Sequence, residues 1–431
     1  MDSPAPADAE RSASEPHTPT VAPAATANAR GRFSAQGLDA LNVPNYRFFT
    51  LSGIFQQCAL NMEMLTNGWF AYQLTGSTTV LGLALLAQAL PQTIFSFVGG
   101  TVSDRVPRRY LMMICFTLAA CVNLWIGISA HRGVANWHDL IVRYLLLGMI
   151  MAFQMPARQG LVGELVGRER IMSAVSINQT ITNVMQLSGP AIAGFTIAGA
   201  GVHGAYYVIV GLYVLGIISL LPIRYQARKA AKGAFLGSIT DGLRYVRGNV
   251  NVRAVLTVSL IAFMLSMPYQ ALLPVFAKDV LHVGPEKLGV LASFSGVGAL
   301  TAGVTLALFG MKKRGLWFVY SLLIVGVGLI GFSLSRSFAL SCAIIVIVGM
   351  GQSLRNILSM ALIQNYTEDA YIGRVLSVLL MQFGLSSIGA FCIALIAQQV
   401  GAPWALGGSA AILVVLAIWY LAVSRGMRAL K

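Results

Sequence analysis

Long apolar stretches alternate with short polar connections along most of this 431-residue chain. A helix needs about 20 apolar residues to cross the hydrocarbon core of a bilayer. Twelve stretches meet that length, and their continuous, Ala- and Leu-rich pattern disfavours strands. The sequence therefore predicts an all-α polytopic membrane protein with twelve transmembrane helices. The predicted spans are residues 48–73, 79–102, 110–130, 139–157, 172–199, 204–222, 253–276, 287–310, 316–334, 338–358, 375–400 and 404–424.

The longest internal polar segment, residues 223–252, divides the predicted helices into six and six. We expect an N-terminal six-helix bundle at residues 46–222 and a C-terminal six-helix bundle at residues 253–424. Residues 1–45 and 425–431 are predicted to be cytoplasmic tails. The N-terminal tail is rich in Ala, Pro, Ser and Thr and has no apolar core, a composition typical of disorder.

Short motifs recur at equivalent places in the two halves. Leu81-Gly82 and Leu288-Gly289 each begin the second helix of a half, and Arg170-Ile-Met-Ser173 and Arg374-Val-Leu-Ser377 each enter the fifth. Parallel repeats of this kind place a binding site at the interface of the halves, near the middle of the membrane.

Composition and charge fit a membrane protein better than a nucleic-acid-binding one. Hydrophobic residues make up 56% of the chain and charged residues 10%, against about 25% charged residues in soluble proteins. The net charge of +15 is spread over loops on one side. With a cytoplasmic N-terminus, that side would hold every Lys and Arg except Arg132, Lys278, Lys287 and Arg336, which face outward, and Arg143, which lies inside the fourth span. This positive-inside bias predicts cytoplasmic termini in a cytoplasmic membrane.

The sequence carries no recognisable set of catalytic or metal-binding residues. Its five cysteines lie in apolar spans without a CxxC motif or a histidine cluster. We therefore expect neither an enzyme nor a metal site, and no cofactor beyond a proton gradient as the energy source. The expected partners are a small-molecule substrate and the lipid bilayer, with a monomer as the expected oligomeric state.

A short charged turn between the second and third spans is the most informative segment. It reads Gly100-x-x-x-Asp104-Arg105-x-x-Arg108-Arg109. Together with the twelve spans, it resembles the major facilitator superfamily, whose motif at this place is G-x-x-x-D-R-x-G-R-R/K. Pro107 replaces the second glycine. The resemblance implies a conformational latch on the cytoplasmic side, in which Asp104 pairs with an Arg or a helix N-terminus. The alternative is that the arginines only set topology.

The second half keeps the cations of this turn but not its acid. Met311 stands in the place of Asp104, followed by Lys312, Lys313 and Arg314. The resemblance therefore implies a one-sided latch that depends on Asp104.

The fifth span contains Ser188-Gly-Pro-Ala-Ile-Ala-Gly194. This segment resembles the G-P-x-x-G-G motif of superfamily exporters and antiporters and identifies Gly189, Pro190 and Gly194 as an antiporter-like motif. The alternative is generic packing of small residues. The phrases Leu74-Thr-Gly-Ser77, Pro156-Ala-Arg-Gln159 and Gly373-Arg-Val375 resemble an enterobactin-exporter-like branch that includes siderophore exporters and macrolide efflux proteins.

Two charged residues inside the spans are candidates for coupling and recognition. Glu63 is the only carboxylate deep in any predicted span, and intramembrane acids usually face the bundle interior and carry function. We expect it to bind a proton or a cationic substrate; the alternatives are a permanently paired structural acid or a position nearer the outer interface. Arg143 is expected either to form a local pair with Asp139 or to face the cavity and meet an anionic substrate or Glu63.

Polar amides provide further candidates for a wet cavity, because an amide facing lipid is costly. We select Asn61, Gln88, Asn178 and Gln382; Asn178 and Gln382 lie at nearly matching positions of the repeat.

These features predict a secondary transporter that exports a siderophore or an amphiphilic drug-like molecule by alternating access, with proton antiport. One alternative is proton-linked uptake or facilitated diffusion of a nutrient on the same fold. A second is a non-transporting receptor or assembly factor.

Overall fold

The computed structural model describes residues 39–167, 169–224, 244–309, 313–368 and 371–423. Helices joined by short connections make up these ranges, and they contain no strand. A short turn of 3-10 helix, Asp39–Asn42, precedes the first long helix. The helices are α1 (Pro44–Thr75), α2 (Thr78–Arg105), α3 (Arg108–His131), α4 (Trp137–Val166), α5 (171–200), α6 (202–220), α7 (Val250–Val280), α8 (Pro285–Phe309), α9 (Arg314–Leu334), α10 (Phe338–Tyr366), α11 (Ile372–Leu380 and Gln382–Val400) and α12 (Ala402–Val423).

Gly201 separates α5 from α6 within the helical stretch Ile171–Leu220. One helix of 50 residues would be about 75 Å long, more than twice the thickness of the hydrocarbon core. Gly201 has a φ of 73° and a ψ of 175°, a conformation that interrupts a helix and that glycine adopts at little steric cost.

Nine helical stretches of the described residues are long and apolar enough to cross a membrane. Ile171–Leu220 is one of these stretches although it holds both α5 and α6. The other two helices are α1, which carries several amides and Glu63, and α11, whose apolar segment Gly384–Val400 is short. Counted in this way, the described residues contain the twelve predicted helices, and the predicted all-α class is confirmed.

Two helices extend well beyond their predicted ends. The apolar windows of α4 and α10 end at residues 157 and 358, whereas the helices continue to Val166 and Tyr366. An apolar window ends at the first charged side chains, but helical hydrogen bonding continues past the hydrocarbon core. The predicted bundle boundary at residue 253 stays a prediction, with α7 beginning at Val250. Loop residues 225–243 and tail residues 1–38 and 424–431 lie outside the described residues.

Short connections force successive helices to run in opposite directions. We call one membrane face the basic face; it carries the connections 106–107, 167–170 and 367–371. The other, with the connections 76–77, 132–136 and 401, is called the opposite face.

Equivalent helices pack together in the two halves, which gives two six-helix bundles, α1–α6 and α7–α12. Helix α2 packs on α4 as α8 packs on α10, and α3 packs on α4 as α9 packs on α10. The bundles meet through two main pairs, α2 with α11 and α5 with α8.

The repeated R-x-x-S motif anchors the segment that precedes the first helix of each half. Arg170 pairs with Asp39 at 2.9 Å, and Ser173 Oγ accepts a hydrogen bond from the Ala40 amide. Hydrogen bonds from Asn42 and Arg170 hold the pKa of Asp39 below its usual value. In the second half, Arg374 lies over the Tyr371 ring, which stacks on Tyr245 just before α7. The arginine of the motif therefore has a packing role in both halves.

The turn at residues 99–109 begins with two glycines in different surroundings. A Cβ atom on Gly99 would overlap the backbone carbonyl of Ala152 in α4, whereas one on Gly100 would meet nothing within 4 Å. Gly99 is thus the residue that lets α2 and α4 approach closely, although Gly100 is the one in the superfamily motif.

Alanine at Gly99 should therefore be much more harmful than alanine at its neighbour. We expect Gly99→Ala to lower the free energy of unfolding by about 1–3 kcal/mol, because α2 and α4 must separate. Gly100→Ala is the matched control and should change stability little or raise it slightly through helix propensity. Thermal denaturation of the two purified variants in detergent measures the difference, and equal melting temperatures would contradict the packing role.

Candidate functional site

A buried ionic network lies inside the N-terminal bundle. The Asn123 amide donates to Glu63 Oε1 at 2.6 Å, and Arg143 Nη2 donates to Asn123 Oδ1 at 2.7 Å. Arg143 Nη2 is also 3.5 Å from Glu63 Oε1. Glu63 is 5% exposed, and Asn123 and Arg143 are fully buried. The network joins α1, α3 and α4 and carries no net charge when Glu63 is ionised.

Aromatic side chains enclose the cation of this network. The Arg143 guanidinium lies over the rings of Tyr206, at 5.4 Å, and Tyr144, at 5.8 Å, both within the range of a cation–π interaction. The Tyr206 hydroxyl donates to Asn67 Oδ1 at 2.8 Å, which ties α6 to α1. Two guanidinium nitrogens of Arg143, Nε and Nη1, have no hydrogen-bond partner.

Asp139 does not form the local pair with Arg143 that one interpretation predicted. Its carboxylate accepts from the Asn136 amide at 3.0 Å and completes a capping box at the start of α4. The box satisfies backbone donors that a helix start leaves unpaired. Arg143 lies one turn further along α4 and points into the bundle towards Glu63.

A cavity of about 150 Å³, partly open to solvent, lies between the bundles. Every residue that lines it is uncharged, and most are apolar. The N-terminal bundle contributes Met64 and Tyr144, and the C-terminal bundle contributes Met267, Gln270 and Ser386. Tyr144 therefore contacts both the cavity and the Arg143 guanidinium, and Met64 follows Glu63 directly in α1.

The contacts between the bundles lie from mid-membrane to the opposite face. The Tyr72 hydroxyl donates to Asp279, and Thr78 Oγ1 donates to the Ala394 carbonyl at 2.9 Å. Gly82 packs against Ala394 at the same level. We therefore describe this conformation as closed on the opposite face.

The antiporter-like motif of α5 makes two close contacts, one within the N-terminal bundle and one between the bundles. A Cβ on Gly189 would lie 2.6 Å from Cβ of Asn61 in α1. The Pro190 carbonyl and Gly194 both pack against Gly289, near the start of α8. In this conformation, the motif is a packing surface between α5 and its neighbours.

The charged turn forms contacts within the N-terminal bundle. Asp104 is 55% exposed and pairs with Arg108 at 3.1 Å, one helical turn away. Arg108 also pairs with Glu164 of α4 at 2.8 Å. Arg109 donates to the carbonyls of Leu221 and Ile223 at 2.7 Å, and Arg105 is exposed. Met311 and Lys312, the predicted counterpart in the second half, lie outside the described residues.

The four selected amides have different surroundings. Asn61 donates to the Gln57 carbonyl one turn back in α1, and the Gln88 amide is 4.0 Å from the Met151 sulfur. Asn178 Oδ1 is buried without a hydrogen-bond partner. Gln382 is buried at the break in α11. None of them joins the Glu63 network, and none lines the described cavity.

Several residues of the site were not selected from the sequence. Tyr144 and Tyr206 carry no charge, and a tyrosine in a span also fits a lipid interface. Glu164 lies beyond the predicted end of the fourth span. The assignment of Arg355 to the cytoplasmic side was wrong, because its side chain is 1% exposed inside α10. The apolar window of α10 ends only three residues after Arg355, so the hydropathy pattern did not indicate that this side chain is buried.

A model of the family described as "Transmembrane secretion effector" matches residues 36–429. The chain belongs to this family of major facilitator superfamily transporters. The matched residues include all the helices described above. The chain is thus a membrane transporter of an efflux-like branch and not an enzyme.

Similar proteins include transporters for different molecules. The chain is 23% identical over 340 residues to the staphyloferrin A transporter of Staphylococcus aureus, covering 77% of this chain and 84% of that protein. It is 25% identical over 339 residues to macrolide efflux protein A of Streptococcus pyogenes, covering 76% and 83%. The chain is itself a multi-pass membrane protein.

Solved structures of other transporters share the fold. The nucleoside transporter NupG superposes with a TM-score of 0.71 at 15% identity, covering 90% of this chain and 100% of that chain. A mutant of the peptide transporter POT in complex with sulfate superposes with a TM-score of 0.73 at 12% identity, covering 89% and 95%. At these identities the similarity establishes the fold alone.

Proposed function

We propose that the protein exports a small molecule across the cytoplasmic membrane by alternating access, with protons as the counter-ion. The buried Glu63–Asn123–Arg143 network beside the cavity is the observation that carries this proposal. An ionisable acid inside a membrane protein is costly unless it is paired or serves transport. Proton entry from the outside would drive the opposite movement of substrate.

A proton on Glu63 would change the forces on Arg143. The protonated acid no longer attracts the guanidinium, whose remaining partners are Asn123 and the rings of Tyr144 and Tyr206. Because Tyr144 also lines the cavity, a shift of Arg143 would change the surroundings of a bound substrate. This contact gives proton binding and substrate binding a common element, which coupling requires.

We propose that the basic face is cytoplasmic. Arg105, Arg108, Arg109 and Arg170 lie at this face, as the positive-inside rule expects of cytoplasmic connections. The conformation closed on the opposite face is then inward-facing. In this assignment both termini are cytoplasmic. A monomer suffices for transport, because one chain supplies both walls of the cavity.

The relatives and the cavity suggest the class of substrate. The similar proteins are named for a siderophore and for macrolides. The cavity offers an apolar lining with hydrogen-bonding groups from Tyr144, Gln270 and Ser386. We propose a siderophore or an amphiphilic drug-like compound as the substrate.

The Tyr72–Asp279 hydrogen bond should hold the outer side closed. We expect Asp279→Asn to favour the outward-open state, because it replaces a charge-assisted hydrogen bond with a neutral one. The variant is made in a cysteine-free background that also carries Met64→Cys. A membrane-impermeant maleimide added outside should then label this cysteine about 3- to 10-fold faster. Glu286→Gln, on the same face in α8, is the control, and equal rates in both would contradict the gating role.

Everted membrane vesicles test the export proposal. Respiration acidifies their lumen, so an exporter with proton antiport should accumulate a radiolabelled macrolide or staphyloferrin A inside them. Dissipating the pH gradient with nigericin should abolish the accumulation. Accumulation only in right-side-out vesicles would favour the uptake alternative. Absence of transport of either probe in both orientations would count against the proposal.

A further inference from the structure

Arg355 is a second buried arginine, in α10 of the C-terminal bundle. It lies roughly 26 Å along a helix of roughly 43 Å, which places it within the hydrocarbon region. Its side chain donates to Ser266 Oγ at 2.8 Å and to Asn356 Oδ1 at 3.2 Å. The guanidinium also lies 5.0 Å from the centre of the Phe263 ring. All three partners are uncharged.

The two buried arginines differ in the charge that faces them. Arg143 is paired with Glu63, whereas no Asp or Glu within the described ranges forms an ion pair with Arg355. A guanidinium keeps its proton in any protein environment. The Arg355 site therefore carries an uncompensated positive charge, which is unfavourable in the membrane unless an anion enters.

A donor without a partner lies next to Arg355. Gln352 is three residues earlier in α10, on the same helix face, and it is 8% exposed. Its buried Nε2 has no hydrogen-bond partner. One face of α10 thus carries a buried cation and, one turn away, a buried donor without an acceptor, and an anion can use both.

This donor pair lies close to the cavity between the bundles. Ser266, the partner of Arg355, is the last residue of the first segment of α7. The helix breaks at the next residue, Met267, ahead of Pro268, and Met267 lines the cavity. The adjacent residue Asn356, which accepts a hydrogen bond from the guanidinium, is exposed.

We propose that Arg355 and Gln352, with Ser266, bind a small anionic group. The anion is either a carboxylate of the transported substrate or a chloride ion that accompanies it. The assignment rests on the proposed transport function and names a recognition residue for it. Loss of this charge should weaken anion binding by roughly 10- to 100-fold, the usual range for a charge-assisted hydrogen bond.

Anion-dependent stability of the purified full-length protein tests this site. Sodium chloride and trisodium citrate are titrated separately at constant ionic strength, with the bulky sulfonate isethionate as the balancing anion. The melting temperature is followed by tryptophan fluorescence. We expect one of the two anions to raise the wild-type melting temperature in a saturable way. Chloride identifies an ion site, whereas citrate identifies carboxylate recognition.

Variants separate anion binding from a structural role. Arg355→Gln should lose the stabilisation by the anion, and its melting temperature without anion should equal or exceed that of wild type. Arg355→Lys should keep part of the response. Arg336→Gln, which removes an exposed arginine from the connection at residues 335–337, should respond like wild type. A purely structural Arg355 would instead lower the melting temperature and leave the anion response of Arg355→Gln unchanged.

Two results would overturn the proposal. They are equal anion responses of wild type and Arg355→Gln, and no response of wild type to either anion. The melting-temperature experiment measures anion binding without transport. Its outcome therefore does not depend on whether the vesicle experiment detects transport. Anion binding without any substrate transport would retain the site and reject the transport function.

Discussion

Replacing Glu63 by Gln is expected to lower the free energy of unfolding by about 3–5 kcal/mol, because Arg143 then remains charged and unpaired. Arg143 is fully buried, and a guanidinium cannot become neutral by losing its proton. The glutamine can still accept the hydrogen bond from Asn123, so the change in shape is small. The loss therefore reports the missing negative charge.

Arg143→Gln should behave differently because a carboxylic acid can become neutral. At about pH 5 the variant should approach wild-type stability, with Glu63 protonated in the folded state. As the pH rises towards about 8, the folded state must keep a proton that the unfolded state releases. Stability should therefore fall as pH increases. The double variant Glu63→Gln/Arg143→Gln has no charge left in this network, and it should regain most of the stability at every pH.

Chemical denaturation in mixed micelles across this pH range measures all four members of the cycle. Glu169→Gln, an exposed acid at the basic face, is the control and should match wild type. Additive effects of the two single substitutions would show that Glu63 and Arg143 do not interact. A pH-independent loss in Arg143→Gln would show that the role of Arg143 is packing and not charge.

The helices were largely predictable from the sequence because the bilayer imposes a simple rule. Twenty apolar residues cannot cross the hydrocarbon core in another form without leaving backbone groups unpaired. This rule located all twelve spans to within a few residues, apart from the basic-face ends of α4 and α10. Those ends lie beyond the apolar window, where the rule no longer applies, and Glu164 was missed for that reason.

The candidate site was less predictable because its members come from four helices. Glu63 and Arg143 could be selected because a charge in a span is rare, and their pairing was one of the alternatives. Asn123 bridges them, but it was only one of many amides in the spans. Which amide joins a network depends on helix rotation and on pairings such as α1 with α3, and a single sequence does not specify these.

Packing also decided between residues that look alike in sequence. Gly99 and Gly100 are adjacent, and only the first faces the backbone of α4. Arg143 and Arg355 are both buried, and among the described residues only Arg143 has a carboxylate beside it. Such distinctions require the positions of neighbouring helices, because the residue type is the same in each pair.

The same carboxylate should be required for coupled transport. In everted vesicles, Glu63→Gln should lose accumulation driven by the pH gradient by at least about tenfold, since an amide cannot carry the proton. Exchange of labelled for unlabelled substrate at equilibrium should continue, because that movement needs no net proton transfer.

The variants of the stability cycle separate a loss of proton coupling from a loss of folded protein. Glu63→Gln alone is expected to be less stable, so its loss of transport could reflect misfolding. The double variant Glu63→Gln/Arg143→Gln lacks the carboxylate but should be stable, and it should also exchange substrate without responding to the pH gradient. Glu63→Asp keeps the acid and should retain partial accumulation, while Glu169→Gln should be unaffected. Gradient-driven accumulation at the wild-type level in both variants that lack the acid would assign proton coupling to another residue, because no ionisable group would then remain at position 63.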